Sequence, residues 1–224
     1  MKKILSSIIG SGVLMLLLSG CGGSEESSNK AVEKKDPPKQ AEQKKVENPK
    51  TDEEGNVILD QVGQKTKDAS ATAELMKIKK VNEVVNIAPI KATVHDIKVI
   101  KLTDISDDMK QQIEYMTDKK AIEPVYYIQI SLTAENTSDK NIAWNSLHRV
   151  VTDKGEQLDP NQSILMSNFD TEFLGKVTQE DFYGMVLGKG KEDIHKVKLV
   201  FNSSADNDTY EDITPEQQVE YTLD

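Results

Sequence analysis

The feature that most constrains the fold is an alternation of apolar and polar residues across positions 124–135. Successive side chains of a β-strand point to opposite faces of the sheet, so strict alternation over this length predicts a strand with one buried face. The residues predicted to point inward are Tyr126, Ile128, Ile130, Leu132 and Ala134. The residues predicted to point outward are Tyr127, Gln129, Ser131, Thr133 and Glu135.

Further strands are predicted on both sides of this run. Over residues 92–102 the apolar residues alternate but change phase, and a β-bulge near His95 and Asp96 would explain the first change. The other predicted strands are residues 76–79, 83–87, 142–152, 181–187, 196–201 and 219–223. Seven or eight short strands separated by turn residues favour an all-β fold, a β-sandwich.

One short helical insertion is predicted within this β pattern. Ser106 is a favoured N-cap residue, and acids in the first turn with lysines after the last turn complement the helix dipole. These acids are Asp107 and Asp108, the lysines are Lys119 and Lys120, and the shared apolar face holds Met109, Ile113 and Met116. We expect the helix to pack over one open end of the sheets.

The first 20 residues have the pattern of an export signal. Two lysines follow Met1, and residues 4–18 are apolar apart from small Ser and Gly. This stretch is too short to span a membrane comfortably and lies where a signal peptide belongs. It ends in Leu18-Ser19-Gly20-Cys21, which resembles the lipobox of bacterial lipoproteins. The resemblance implies cleavage between Gly20 and Cys21 and a diacylglyceryl group on the Cys21 sulfur.

The lipobox also predicts where the mature chain is held. Two acyl chains anchor a protein stably, so membrane lipid is the predicted partner and the extracytoplasmic face of the cell membrane is the predicted location. The alternatives are an ordinary secretory signal with a chance Cys, or an uncleaved anchor. Cys21 is the only Cys of the chain, which favours the lipobox and leaves no thiol for an internal disulfide. The fold is therefore expected to depend on its core.

A disordered linker is predicted after the lipidated Cys, over residues 21–55. The segment lacks aromatic residues and is dominated by Lys, Glu, Ser, Gln and Pro, so it cannot bury enough surface to offset its ordering entropy. Residues 56–71 are predicted to be transitional, with Val57, Ile58 and Leu59 able to pair as an outlying strand. The sandwich domain is predicted over residues 72–224.

The charge balance narrows the predicted partners. The chain has a formal net charge of -10, and loss of Lys2 and Lys3 with the signal leaves the remainder near -12. This acidity argues against nucleic acid and against direct docking on anionic lipid headgroups. Arg149 is the single arginine among 28 basic residues, a skew that suggests an AT-rich genome and, with no disulfides, a low-GC Gram-positive source.

One segment carries a family resemblance. Over residues 126–140 the alternating strand runs into Glu135-Asn136-Thr137-Ser138-Asp139, and residues 150–156 form a strand ending in Asp-Lys-Gly-Glu. This pattern resembles the DUF4352-type immunoglobulin-like domains, which are small secreted or lipid-anchored β-sandwiches akin to telokin-like domains. The resemblance extends over residues 75–223, and residues 90–102 match the family's early strand. It implies an immunoglobulin-like β-sandwich with unknown or binding function and no catalytic residues to carry over.

Two parts of the chain depart from that family pattern. The predicted helix over residues 106–117 is an addition to it. The segment 175–188 lacks the Pro-Gly that usually precedes the late strand of the family.

No motif in the sequence nominates a catalytic or metal centre. His95, His148 and His195 lack metal-ligand spacing, so positions on strand faces or at strand ends are predicted. Residues 184–191 are one residue short of a phosphate-binding loop and lack Ser or Thr after the Lys, so a Gly-Lys hairpin turn is predicted. No cofactor is predicted.

Two weaker patterns leave alternatives open. The acidic segment 206–212 opens with Asp-Asn-Asp, but Glu211 and Gln217 occupy the positions where an EF-hand has Gly and Glu, so a solvated turn is favoured over a calcium site. Trp144, Tyr127 and Phe169 form either a binding patch or, as we favour, a core Trp and ordinary strand aromatics.

These observations predict a non-catalytic module that binds a protein or another envelope component. This hypothesis requires an exposed apolar patch on one sheet. The alternatives are a small-ligand or Ca²⁺-binding module, and an envelope enzyme whose site is assembled in space. The enzyme alternative requires a deep pocket whose titratable groups have perturbed pKa values.

Overall fold

A computed structural model describes residues 46–52, 55–165 and 170–223. All of them belong to one compact unit, Lys44–Asp224. The predicted signal peptide, the Gly20–Cys21 cleavage site, the lipidation site Cys21 and most of the predicted linker lie outside the described residues.

The described residues form fifteen strands, one α-helix and one 3-10 turn at Pro160–Gln162. The helix α1 is Asp107–Thr117. The strands are β1 Lys50–Thr51, β2 Val57–Ile58, β3 Lys65–Lys67, β4 Thr72–Ile87, β5 Ile90–Thr103, β6 Val125–Asn136, β7 Asn141–Trp144, β8 Leu147–Thr152, β9 Gln157–Leu158, β10 Glu172–Leu174, β11 Thr178–Val186, β12 Lys196–Phe201, β13 Ser204–Asp206, β14 Asp212–Thr214 and β15 Gln217–Thr222.

Antiparallel sheets pack against one another as a β-sandwich. One sheet has five strands in the order β11-β6-β5-β4-β3, and β1 pairs with β2 as a separate ribbon. Two four-stranded sheets, β10-β7-β13-β14 and β15-β12-β8-β9, form the opposite layer. One buried cluster joins all three, drawing Ile97 and Ile128 from the five-stranded sheet, Phe173 from one four-stranded sheet and Val197 from the other. The predicted all-β sandwich with one helix is confirmed.

Trp144 is the largest side chain of this main core and is 1 % exposed. Its ring lies 6.3 Å from that of Phe201 and 6.2 Å from that of Phe173. Its Nε1–H donates to the carbonyl of Asn202 at 3.0 Å, so the one polar atom of the indole is satisfied. The expectation that the lone Trp belongs to the core is confirmed.

A second buried cluster lies on the outer face of the five-stranded sheet, the face turned away from the main core. Leu75, Ile100, Tyr127 and Val186 stand directly opposite one another on adjacent strands. Helix α1 contributes Ile113 to the same cluster, and Met109 and Met116 pack partly buried against it. The Ser106 hydroxyl accepts from the Met109 N–H at 3.2 Å, as the N-cap prediction requires. The helix therefore packs within the cluster that lies on this face of the sheet.

The inward face of the central strand is as its alternation predicted. Ile128, Ile130, Leu132 and Ala134 are buried in the main core, and Tyr126 packs partly buried against it. The pairing of β5 with β6 shifts register between Val94 and Asp96, which is the predicted bulge.

Three other predictions differ from the structure. Residues 142–152 were predicted as one strand, but Ser146 adopts φ 42° between β7 and β8, which belong to different sheets. The two short strands predicted within residues 76–87 are one strand, β4, with two register shifts. Within the predicted linker, Lys50 and Thr51 pair with Ile58 and Val57, because backbone pairing requires little apolar surface.

Candidate functional site

The outer face of the five-stranded sheet carries a groove of about 500 Å³, which we call the outer-face groove. It lies beside the second cluster, and the β1–β2 ribbon contributes to its wall. Its lining includes the strand residues Lys98, Ile100, Tyr127, Gln129 and Phe182, with Val57, Ile58 and Leu165 from the flanking segments. Val57, Ile58 and Phe182 are 45 %, 39 % and 40 % exposed, so the walls present apolar surface to solvent.

A buried cation lies in this groove. The Lys98 side chain is 11 % exposed, and its Nζ lies 3.1 Å from Oδ2 of Asp96. The other Asp96 oxygen, Oδ1, accepts from the Ser131 hydroxyl at 3.0 Å. Lys98 stands opposite Gln129 on the neighbouring strand. An ammonium has three N–H donors and a primary amide has two, so this floor can donate to a ligand that brings acceptors.

The Lys98–Asp96 pair predicts an asymmetric response to mutation. Asp96→Ala leaves a nearly buried ammonium unpaired and is expected to lower the free energy of unfolding by about 2–3 kcal/mol. Lys98→Met keeps the aliphatic stem and leaves a carboxylate bonded to Ser131, so we expect a loss below about 1 kcal/mol. Urea unfolding followed by the fluorescence of Trp144 measures both. Equal losses for the two variants would refute the asymmetry.

Tyr127 was predicted to point outward, and the structure places it on the outer face but buries it. It belongs to the same buried cluster as Leu59 and Ile113 of helix α1, and it is 8 % exposed. Burial raises the pKa of Tyr127 to about 12. Tyr127 and the core residue Trp144 do not form one patch, and Phe169 lies outside the described residues.

The three histidines lie apart, each with a different partner. His95, on the β5 bulge, has Nε2 2.6 Å from the Thr133 hydroxyl. The ring of His148 on β8 contacts the Glu216 carboxylate. His195, which directly precedes β12, has Nε2 3.2 Å from Asp193. Within the described residues, no group of three or more His, Cys, Asp or Glu side chains is arranged to hold a metal ion.

The acidic segment 206–212 is a turn between β13 and β14. Oδ1 of Asp206 accepts from the backbone N–H groups of Asp208 and Thr209, both at 3.1 Å. Oδ2 of Asp206 pairs with Nζ of Lys140 at 3.1 Å. The Lys140 hydrogen bond and the two backbone N–H groups hold the pKa of Asp206 below its usual value. The leading carboxylate of the sequence motif is therefore already bonded within the turn.

We expect millimolar Ca²⁺ to leave the Tm of the protein unchanged. A ligand that binds only the folded state raises the Tm. The carboxylate that opens this turn, Asp206, is already paired with Lys140, so we expect no such ligation by Ca²⁺. Differential scanning fluorimetry with Ca²⁺, and with Mg²⁺ as the matched control, measures the effect. A rise with Ca²⁺ alone would reinstate the calcium hypothesis.

The glycine-rich segment 184–191 forms the end of β11 and a turn. The Lys191 N–H donates to the carbonyl of Gly188 at 3.0 Å. The turn is confirmed, but it is not a hairpin turn. It lies in the connection that carries the chain from β11 in the five-stranded sheet to β12 in the opposite layer.

The most strongly shifted tyrosine lies in the core. Burial raises the pKa of Tyr183, and the neighbouring Asp181 carboxylate adds to the shift. Asp181 is 1 % exposed, and Tyr183 packs against the main core. Neither residue lines the outer-face groove. The enzyme hypothesis requires such groups inside a pocket that a substrate can reach.

Sequence reasoning missed the main polar and apolar groups of the groove, Lys98 and Phe182. Each stands at an outward position of a predicted strand, where a solvated side chain is the default expectation. The only signal was Lys98 itself, a charge embedded in the apolar run from Ile97 to Ile100.

Two solved structures are similar to this chain. A functionally unknown protein from Listeria monocytogenes EGD-e shares 10 % identity with a TM-score of 0.47, over 67 % of this chain and 86 % of that one. A conserved hypothetical protein from Bacillus anthracis shares 15 % identity with a TM-score of 0.36, over 64 % of this chain and 98 % of that one. No family model and no curated protein matches the chain. Among the described residues, no helix has the length and apolarity needed to cross a membrane.

Proposed function

We propose that this chain is a bacterial lipoprotein whose β-sandwich, held outside the cell membrane by lipid on Cys21, binds another protein of the envelope. The observation that carries the binding role is the outer-face groove. Its walls bring exposed apolar side chains together on one sheet, which is typical of a binding surface.

The anchor is supported by the sequence. Cys21 is the single cysteine and follows the lipobox pattern Leu18-Ser19-Gly20 directly after an apolar segment. One acyl chain gives marginal membrane binding, whereas the two chains of a diacylglyceryl group hold a protein stably.

The groove suits an extended apolar segment of a protein partner. Val57, Ile58 and Phe182 offer apolar contacts along its walls, and Lys98 and Gln129 offer donors on its floor. Apolar side chains of the partner would bury the walls, while its carbonyl or carboxylate groups would accept from Lys98 and Gln129. Interfaces of this kind combine an apolar centre with a few directed hydrogen bonds.

Site-specific photocrosslinking on intact cells tests the binding role. A crosslinking amino acid at Phe182 is expected to give a discrete adduct with an envelope protein. The same amino acid at Tyr115, which is 86 % exposed and does not line the groove, is the matched control. Adduct formation should be lost in the Ile58→Asp variant. Equal adducts from both positions, or none from Phe182, would contradict the proposal.

A further inference from the structure

A second cleft, which we call the end cleft, lies where β6 begins and β11 ends and has a volume of about 450 Å³. Two loops line it, residues 119–124 before β6 and residues 187–192 after β11. It is separate from the outer-face groove, with which it shares no lining residue. Its volume lies in the range of small-ligand sites.

The first loop of the end cleft is held by hydrogen bonds and an ion pair to residues that do not line the cleft. The Glu123 carboxylate accepts from the backbone N–H groups of Asp104 at 2.8 Å and Ile105 at 3.2 Å, and it pairs with Lys110 at 3.1 Å. Nζ of Lys119 donates to the carbonyl of Val186 at the base of the cleft. These bonds fix the loop without closing the cleft.

The second loop is held in the same way. The Gly188 N–H donates to Oε1 of Glu156 at 2.8 Å, an approach so close that a Cβ on residue 188 would lie 2.7 Å from that oxygen. Nζ of Lys191 donates to the carbonyl of Lys154 at 2.9 Å. The two loops are therefore preorganised, and a ligand entering between them would not have to order them.

The lining combines apolar walls with lysine N–H groups that can donate to a ligand. Its apolar members are Ile122, Pro124, Val125, Tyr126, Val186 and Leu187, and Ile122 is 62 % exposed. Lys119 donates to the Val186 carbonyl and lies 3.9 Å from Oε1 of Glu156, and Lys189 forms no ion pair within the described residues.

The acceptors of the end cleft are fewer than its donors. Both oxygens of Glu123 are occupied by Lys110 and the two backbone N–H groups. Lys120 pairs with Glu114 at 3.1 Å, which leaves its other two donors for a ligand. Glu192 is the one lining carboxylate without an ion pair in the described part of the chain, and its negative charge would repel an anionic ligand.

From this inventory we infer that the end cleft binds a small amphiphile with an apolar chain and an anionic end, a carboxylate or a phosphate. The chain would lie against Ile122 and Leu187. The anionic end would accept from Lys119 and Lys189, because ammonium groups donate only. The cleft is concave and small, which fits a free amphiphile better than a flat protein surface.

Isothermal titration with soluble amphiphiles tests this inference on residues 21–224 carrying Cys21→Ser, a form that contains every described residue. Dodecanoate and dodecyl phosphate, used below their micelle concentrations, are expected to bind. Acetate, which lacks the chain, and dodecylammonium, which carries the opposite charge, are expected not to bind. Binding of dodecanoate and dodecylammonium with equal affinity would overturn the inference, as would the absence of dodecanoate binding.

Three variants separate binding in the end cleft from adventitious binding. Lys189→Gln is expected to weaken dodecanoate binding about two- to fivefold, and Glu192→Gln to strengthen it by a similar factor. Ile122→Asp should weaken it about tenfold or more, whereas Leu174→Asp, at an equally exposed position outside the cleft, should not. A gain in affinity from Glu192→Gln cannot arise from damage to the fold. Failure of all three shifts would place the binding elsewhere, and the crosslinking at Phe182 is independent of either result.

Discussion

The Cys21→Ser variant is expected to leave the membrane fraction and appear in the medium, or to accumulate as an uncleaved precursor. The serine hydroxyl cannot accept the thioether-linked diacylglyceryl group, and without two acyl chains an acidic protein has little affinity for anionic membrane. Cell fractionation with detergent phase partitioning, detected by immunoblot, measures the change.

The Ser19→Ala variant is the matched control for the anchor. It keeps a small residue in the lipobox and every lipid contact, so it should remain in the membrane and in the detergent phase. A correctly cleaved Cys21→Ser product that is retained in the membrane as fully as the parent would contradict lipid anchoring.

Trp144→Ala is expected to lower the free energy of unfolding by about 3–5 kcal/mol, a large share of the stability of a domain of this size. The indole fills the space between Phe173 and Phe201, and its loss leaves a cavity and an unpaired carbonyl at Asn202. Urea unfolding followed by far-UV circular dichroism measures the loss, because the variant has no Trp to report by fluorescence.

Trp144→Phe and Val84→Ala bracket that result. Trp144→Phe keeps much of the ring packing and should cost less than Trp144→Ala. Val84 is 51 % exposed, so Val84→Ala should change the free energy by less than about 0.5 kcal/mol. A loss below about 1 kcal/mol for Trp144→Ala would show that the layers of the sandwich do not depend on this residue.

The fold was predictable where the apolar–polar pattern of a single strand can be interpreted without knowing which strands it pairs with. The alternation in β6 and the phase change at His95 both follow from the period of a strand and needed no partner to interpret. The prediction failed at Ser146, where a single left-handed residue sends β7 and β8 into different sheets. Nothing in the apolar pattern on either side of Ser146 marks that change.

The candidate sites were less predictable because each is assembled from distant segments. Lys98, Phe182 and Ile58 meet in the outer-face groove only through sheet pairing and the packing of the β1–β2 ribbon. The two loops of the end cleft meet because Val186 pairs with Tyr127 at the end of the sheet. The exposed apolar patch was expected on some sheet, but its sheet and its residues depend on these tertiary contacts.

Mass spectrometry of the N-terminal peptide of protein purified from its native membrane tests the whole account most directly. We predict a peptide that begins at Cys21 and carries the added mass of a diacylglyceryl group on sulfur. A peptide with a free Cys21 thiol, or one that still begins at Met1, would mean that lipid does not hold this sandwich outside the cell.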